Sequence, residues 1–214
     1  KPVVGVGWFT SPDIMAKQIN EGILDFVGAA RASIADPFLP NKLKEGREDD
    51  IRECIGCNIC ASCYNQGIPV RCTQNPSMGE EWRRGWHPER IKPKSSEDTI
   101  LVIGGGPAGL EATLSLARRG YSVAIADSKK ELGGRINMES KLPGMSSYKR
   151  VTDYRLNQIN QLDNIEVYLD NTLSSDDVLE LGFDHVVTAT GSSWQPTIMD
   201  EKSAPVFVTK TDTI

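Results

Sequence analysis

Short apolar runs separated by Gly, Pro and charged residues recur along the chain, and their spacing predicts alternating strands and helices. Val3 to Val6 form the first run and read as a buried strand. Ser11 before Pro12 predicts a helix start, with Ser as the cap and Pro at the first helical position. Ile14, Ile19 and Ile23 then fall on one apolar stripe, and Gly22 terminates it. Residues 24–29 read as a second strand. Two strands bridged by one helix make a βαβ unit, hence a parallel pair.

Between residues 51 and 92 the periodicity disappears. Cysteines, Gly, Pro, Trp and Arg take its place, which predicts a loop-rich segment organised by something other than an apolar core. Residues 93–99 continue a polar stretch that reads as a linker. From residue 100 the α/β pattern returns. Strands are predicted at 100–103, 121–127, 165–168 and 185–189, with a helix over 107–119 that stops at Gly120. A further strand is expected at 206–209. The chain opens on Lys1 and both starts and stops beside expected strands, so the pattern reads as a piece of a larger protein.

Composition narrows the class. The net charge of −5 argues against a nucleic-acid partner, which needs a basic face. No apolar run approaches the roughly 20 residues of a membrane helix. All five cysteines lie between Cys54 and Cys72. With no signal peptide legible, an odd, clustered set points to a reduced, cytoplasmic setting and a metal rather than disulfides.

Cys54, Cys57 and Cys60 follow one another at two-residue gaps, a spacing that wraps one cubane because each sulfur is brought to a different iron. Cys63 continues the spacing and competes with Cys72 for the fourth place. No Pro follows Cys63, and there is cysteine for one cluster only, so the reading favours Cys54, Cys57, Cys60 and Cys72 as ligands of a [4Fe–4S] centre, with Cys63 a spare thiol. A structural zinc site is the rival, although zinc sites more often use two distant cysteine pairs.

A second motif runs from Gly104 to Gly109 as Gly-Gly-Gly-Pro-Ala-Gly. It follows a predicted strand and opens a helix, the context a dinucleotide fingerprint requires. Gly104 permits the tight turn, Gly106 lets backbone approach a pyrophosphate, and Gly109 lets the helix pack on the sheet. Asp127 closes the next strand, where a carboxylate accepts ribose hydroxyls and repels a 2′-phosphate. Gly134 and Arg135 lie where a second stretch could meet the same nucleotide. Gly7 ends the first strand, and Ala30 and Arg31 follow the second. In an eight-stranded barrel the ends of the last two strands hold a phosphate, and Arg31 suits that task. Read alone, Arg31 is a surface ion-pair residue. His87 and His185 show no partner pattern and read as structural. No nucleophile constellation or carboxylate pair appears, so no catalytic residue is assigned.

Several stretches together resemble a family. Residues 33–40 (Ser-Ile-Ala-Asp-Pro-Phe-Leu-Pro), Cys54-Ile55-Gly56-Cys57-Asn58 and Cys72-Thr73-Gln74-Asn75 resemble the iron–sulfur flavoenzymes related to old yellow enzyme. Residues 80–89, Leu142-Pro143-Gly144 and Asp153-Tyr154-Arg155 resemble the trimethylamine dehydrogenase branch, with its dimethylamine and histamine relatives, more than 2,4-dienoyl-CoA reductase. The resemblance implies an α/β architecture in three parts. Residues 1–50 would be the last βαβ unit of an FMN-binding (β/α)8 barrel. Residues 51–92 would be the iron–sulfur segment, and 100–214, after the linker, an incomplete Rossmann-like domain for ADP or FAD. It implies the same four cysteine ligands, with Cys63 a departure from the amine branch, and an FMN-phosphate role for Gly7 and Arg31.

The activity implied is oxidation of a small amine at FMN, with electrons passing through [4Fe–4S] to an electron-transferring flavoprotein. The intact enzyme would be a homodimer, and this piece alone inactive. Two alternatives stand beside it: an NAD(P)H-dependent enoate reductase with FAD in the glycine-motif pocket, and a non-catalytic nucleotide-binding module with a structural zinc site.

Overall fold

Strand β1 (Val4–Val6) pairs in parallel with β2 (Phe26–Gly28), Val4 opposite Phe26, and α1 (Pro12–Asn20) bridges them, as the apolar pattern predicts. The architecture comes from a computed structural model that describes residues 1–192; the strand expected at 206–209 lies outside them. Two details differ from expectation. Ser11 occupies the cap position but its hydroxyl makes no capping bond. Pro12 with its preset φ, and Asp13 against the positive helix end, start the helix instead. Nor is the first strand buried. Val3, Val4 and Val6 are exposed in this chain, and Ile14, Ile19 and Ile23 are exposed by about two-fifths or more. The apolar contacts of this part run elsewhere, with Met15 and Leu43 packing on Ala32, Leu39 and Ile51.

Helices α2 (Ala30–Ala35) and α3 (Leu39–Lys44) follow β2. Lys42 is almost wholly buried, and its ammonium donates to Asp36 at 2.7 Å, to Glu89 at 2.8 Å and to the Asp50 carbonyl at 2.8 Å. Asp36 also accepts the backbone N–H groups of Phe38 and Arg52. One buried ion cluster thus joins this part to both ends of the cysteine segment.

The cysteine segment is mostly irregular, with two short helices that sequence reasoning missed, α4 (Ile59–Asn65) and α5 (Glu81–Arg84). Polar contacts organise it, as its composition implies. The Asn75 amide donates to the Ile34 carbonyl, and the nearly buried Glu80 collects Arg71, Arg83 and Arg84. The stretch read as a linker is tied down. The Lys94 N–H donates to the Arg119 carbonyl at 2.7 Å, and the Ser95 N–H to the Tyr121 hydroxyl at 3.2 Å.

Four parallel strands form the second sheet: β3 (Thr99–Ile103), β4 (Ser122–Ala126), β5 (Ile165–Tyr168) and β6 (His185–Thr188), in the order β5-β4-β3-β6. β3 reads Thr-Ile-Leu-Val-Ile and is apolar on both faces because both are covered. Ile100 and Val102 meet Leu110 and Leu114 of α6 (Pro107–Arg118) and Tyr154 and Ile159 of α8 (Arg150–Ile159). Leu101, between them, joins Ala124 and Ala126 in a cluster against Leu173, Val178 and Phe183, beside α9 (Ser175–Glu180). The short α7 (Ile136–Glu139) lies between β4 and α8. Because β4 and β6 flank the first strand of the sheet, the order reverses at β3, and the C-terminal end of β3 is where such sheets open a ligand crevice. Among the described residues, no helix is long and apolar enough to cross a membrane.

Candidate functional site

A cavity of about 830 Å3 opens at that strand end, lined by Gly104, Gly106, Asp127, Gly134, Arg135 and Gly191. Each glycine has its own physical reason. Gly104 has φ +105°, and a Cβ there would run into the Ala189 carbonyl. A Cβ on Gly109 would strike the Gly104 carbonyl, so only glycine lets α6 seat on the turn. At Gly106 a Cβ would meet nothing within 4 Å, which leaves the N-terminal end of α6 bare toward the cavity. The 132–135 turn folds over the loop, with the Gly133 N–H donating to the Gly105 carbonyl at 2.7 Å and Gly134 packed on Gly106. Arg135 lines the same cavity and pairs with Glu139 at 3.7 Å.

Asp127 is buried, with both carboxylate oxygens engaged. One accepts the Gly105 N–H, and the other accepts the Lys129 N–H at 2.7 Å. The acid therefore pins the glycine loop to the end of β4. A carboxylate has about four acceptor sites, so lone pairs remain for ribose hydroxyls.

The five cysteines are free thiols. Cys54 is buried, and burial pushes its thiol up; the Gly56 N–H, which donates to its sulfur at 3.3 Å, opposes the shift. The thiols acting most strongly on Cys54 are Cys57 and Cys60. Burial also pushes Cys72 up, opposed by the Asn75 and Gln74 N–H groups, and the thiols acting on it are Cys57 and Cys54. The Cys57 sulfur lies 3.1 Å from the Thr73 hydroxyl, beside Cys72 in the chain. Cys63, buried on α4, is not among the thiols acting most strongly on the other two. Among the described residues, no three His, Cys, Asp or Glu side chains close around a single-ion position. A cubane asks for less convergence, since each sulfur meets a different iron. Soft sulfur donors with N–H groups aimed at two of them fit a [4Fe–4S] centre.

Arg31 links the first sheet to the cysteines. It opens α2 behind Ala30, its guanidinium lies 4.2 Å from the centroid of the Trp8 ring, and its Nη1 donates to Asn58 Oδ1 at 2.6 Å. It also acts on Cys54, favouring the thiolate. Trp8 follows Gly7 at the end of β1 and packs on Gly56, where a Cβ would come within 2.7 Å of the indole. The ends of β1 and β2 therefore lie against the cysteine loop. A guanidinium has five N–H donors, so this geometry leaves donors for a phosphate.

Residues 98–212 match the pyridine nucleotide-disulphide oxidoreductase model, over more than half of the sequence. The chain belongs to that family. Residues 1–50 match the NADH:flavin oxidoreductase / NADH oxidase family. The chain is 46% identical over 209 residues to dimethylamine dehydrogenase of Hyphomicrobium sp. (strain x), covering 95% of this chain and 28% of that protein. The structure of histamine dehydrogenase from Rhizobium sp. 4-9 is 58% identical with a TM-score of 0.88, over 92% of this chain and 28% of that one. The structure of 6-hydroxypseudooxynicotine amine oxidase from Pseudomonas geniculata N1 is 57% identical with a TM-score of 0.87, over 91% and 29%. The chain thus spans under a third of the length of these relatives, and they uphold the resemblance to the trimethylamine dehydrogenase-like enzymes.

In this pyridine nucleotide-disulphide oxidoreductase relative, sequence reasoning missed the residues that join the cysteine loop to the nucleotide part. Arg150 donates to the Cys54 carbonyl at 2.8 Å and pairs with Glu53 at 2.9 Å. Arg52 lays its guanidinium 4.8 Å from the Tyr154 ring centroid. These partners lie about a hundred residues apart, and no local pattern announces them. Neither histidine enters the cavity. His87 accepts two backbone N–H groups and stacks on Phe38, a structural role. His185 is exposed and pairs with Asp98 at 3.0 Å on β6, which is the edge of the sheet among the described residues.

Proposed function

We propose that this chain is the iron–sulfur and nucleotide-binding part, with the end of an FMN-binding barrel, of an oxidoreductase that oxidises a small amine. The observation that supports the reading is the cysteine loop: backbone N–H groups donate to the Cys54 and Cys72 sulfurs at 3.3 Å, the Cys57 sulfur meets the Thr73 hydroxyl at 3.1 Å, and Arg31 and Trp8 hold the loop against the ends of β1 and β2. The amine enzymes among the relatives, at 46–58% identity, favour amine oxidation over enoate reduction.

The chemistry such groups supply when bound is substrate oxidation at FMN and single-electron relay at [4Fe–4S]. The protein's own residues do the rest. The four thiolates hold the cluster. Arg31, Gly7 and the backbone at Ala30 would receive the flavin phosphate, and Arg31, through its bond to Asn58, stands between that site and the cysteine loop. The glycine loop, Asp127, Gly134 and Arg135 bind ADP, which on this reading has no redox part. Electrons leave to an electron-transferring flavoprotein, and the intact enzyme is a cytoplasmic homodimer with residues 1–50, 51–92 and 100–214 as its units. An anaerobic preparation of the intact enzyme, assayed together for flavin, ADP, iron and sulfide, tests this. FMN, ADP and iron with equal sulfide are expected. FAD in place of ADP would turn the reading to the enoate reductase, and zinc without sulfide to the nucleotide-binding module.

Replacing Asp127 with Ala should weaken adenosine-nucleotide binding at least about tenfold, the loss of one hydrogen bond to a charged group. Equilibrium dialysis with ADP would check it. Unchanged affinity would mean that Asp127 serves only the loop.

A further inference from the structure

Gln74 stands at the junction of the cysteine loop and the nucleotide part, and the proposed function leaves it without a role. It is 1% exposed. Its backbone N–H donates to Cys72 Sγ at 3.3 Å. Its Nε2 donates to the Glu53 carbonyl at 3.0 Å and to the Arg150 carbonyl at 3.4 Å. Its Oε1 accepts from Arg155 Nη1 at 3.0 Å. One side chain therefore ties Cys72, two residues behind it, to the peptide that precedes Cys54, and both to α8.

The tie does not end there. Arg155 is buried, and its Nη1 also donates to the Val151 carbonyl at 2.7 Å. Its Nε and Nη2 both reach Glu111 Oε2 at 2.7 Å. Glu111 lies on α6, whose N-terminal end faces the nucleotide cavity. Burial disfavours the charged guanidinium, and the Glu111 carboxylate offsets that, which makes the pair an anchor that neither member leaves cheaply. Every polar atom of the Gln74 amide has a partner, so its orientation is fixed.

We propose that Gln74 is a positioning residue for the cluster, and that Arg155 and Glu111 make the cysteine loop a rigid attachment of the nucleotide-binding helix. Gln74 touches no iron. It sets where the Cys72 and Cys54 arms stand, and its N–H lies on a ligand sulfur, where such bonds tune cluster potential. A Gln is suited to this because it donates and accepts at once; Glu could not donate to the Glu53 and Arg150 carbonyls, and Met could do neither. This inference rests on the cluster reading above.

The test uses the intact enzyme prepared anaerobically, as wild type, Gln74→Met and Glu111→Gln. Glu111 lies outside the cysteine segment, its side chain is 24% exposed, and a Gln there keeps an amide oxygen to accept from Arg155, so Glu111→Gln is the second variant should Gln74→Met not fold. Iron release to a chelator is followed in time, and the reduced cluster is examined by electron paramagnetic resonance during a potentiometric titration. Iron should leave Gln74→Met about tenfold faster, with an altered spectrum and a shifted midpoint, as expected when a ligand loses its outer partner. Glu111→Gln should show the same effects, smaller but in the same direction. Wild-type release rates, spectra and midpoints in both folded variants would overturn the proposal, and so would a wild-type Glu111→Gln if it alone folds. A wild-type enzyme with no iron and sulfide would instead overturn the cluster reading beneath it.

Discussion

Replacing Cys57 with Ser is expected to strip the intact enzyme of iron, labile sulfide and the visible absorption that accompanies them. The Cys57 sulfur lies 3.1 Å from the hydroxyl of Thr73, the residue next to Cys72, so it stands between the two arms of the proposed ligand set. An iron–sulfur cluster selects soft thiolate, and a serine hydroxyl at that position is harder and far less acidic. Iron and sulfide per protein, read beside the absorption spectrum, would check it; a variant with full iron and sulfide removes Cys57 from the ligand set. Cys63→Ser is the control and should leave the cluster intact. Cys63 is buried on α4 and continues the two-residue spacing, so sequence alone cannot dismiss it. Loss of the cluster in Cys63→Ser would exchange its role with that of Cys72.

Asp36→Ala should be the most destabilising single change away from the cofactor sites. Its carboxylate accepts from the Lys42 ammonium at 2.7 Å, from the Arg52 N–H at 2.9 Å and from the Phe38 N–H at 3.0 Å. Truncation leaves a nearly inaccessible ammonium with Glu89 and one carbonyl, and two backbone donors without their acceptor. Breaking a buried pair on one side costs about 3–5 kcal/mol. Urea unfolding followed by tryptophan fluorescence would measure it, and a loss under about 1 kcal/mol, the worth of an exposed pair, would show that solvent reaches the site. Removing both charges, as Asp36→Leu with Lys42→Met, should recover part of the loss, since the penalty lies in the unpaired charge rather than in the missing bond. Arg52 precedes Cys54 by two residues, so Asp36→Ala should also loosen iron.

The local chemistry was legible along the chain. The glycine spacing predicted the turn, the seat of α6 and the bare helix end, and each follows from backbone sterics at Gly104, Gly109 and Gly106. Asp127 was found at the strand end, but its grip on the Gly105 N–H was not, because that bond crosses between two strands. The helices α4 and α5 were missed for a related reason. Four to seven residues without an apolar period are held by contacts to other parts of the chain rather than by their own propensity.

Val4 and Val6 lie exposed in this chain, which spans under a third of the length of its relatives, whereas Lys42, a surface residue by type, is among the most buried. Apolarity is a property of a residue, but burial depends on what stands opposite. Lys42 is inside because Asp36, Glu89 and the Asp50 carbonyl meet it there.

The sequence by itself determined the cysteine spacing, the glycine turn at 104–109 and the order of the strands among the described residues, because each depends on neighbours within a few residues. Only the tertiary structure decided how the parts are joined. Gln74 meets Arg155, Arg150 meets Cys54 and Arg31 meets Asn58 across gaps that no period spans, and a contact closed across a long loop leaves no trace in local pattern.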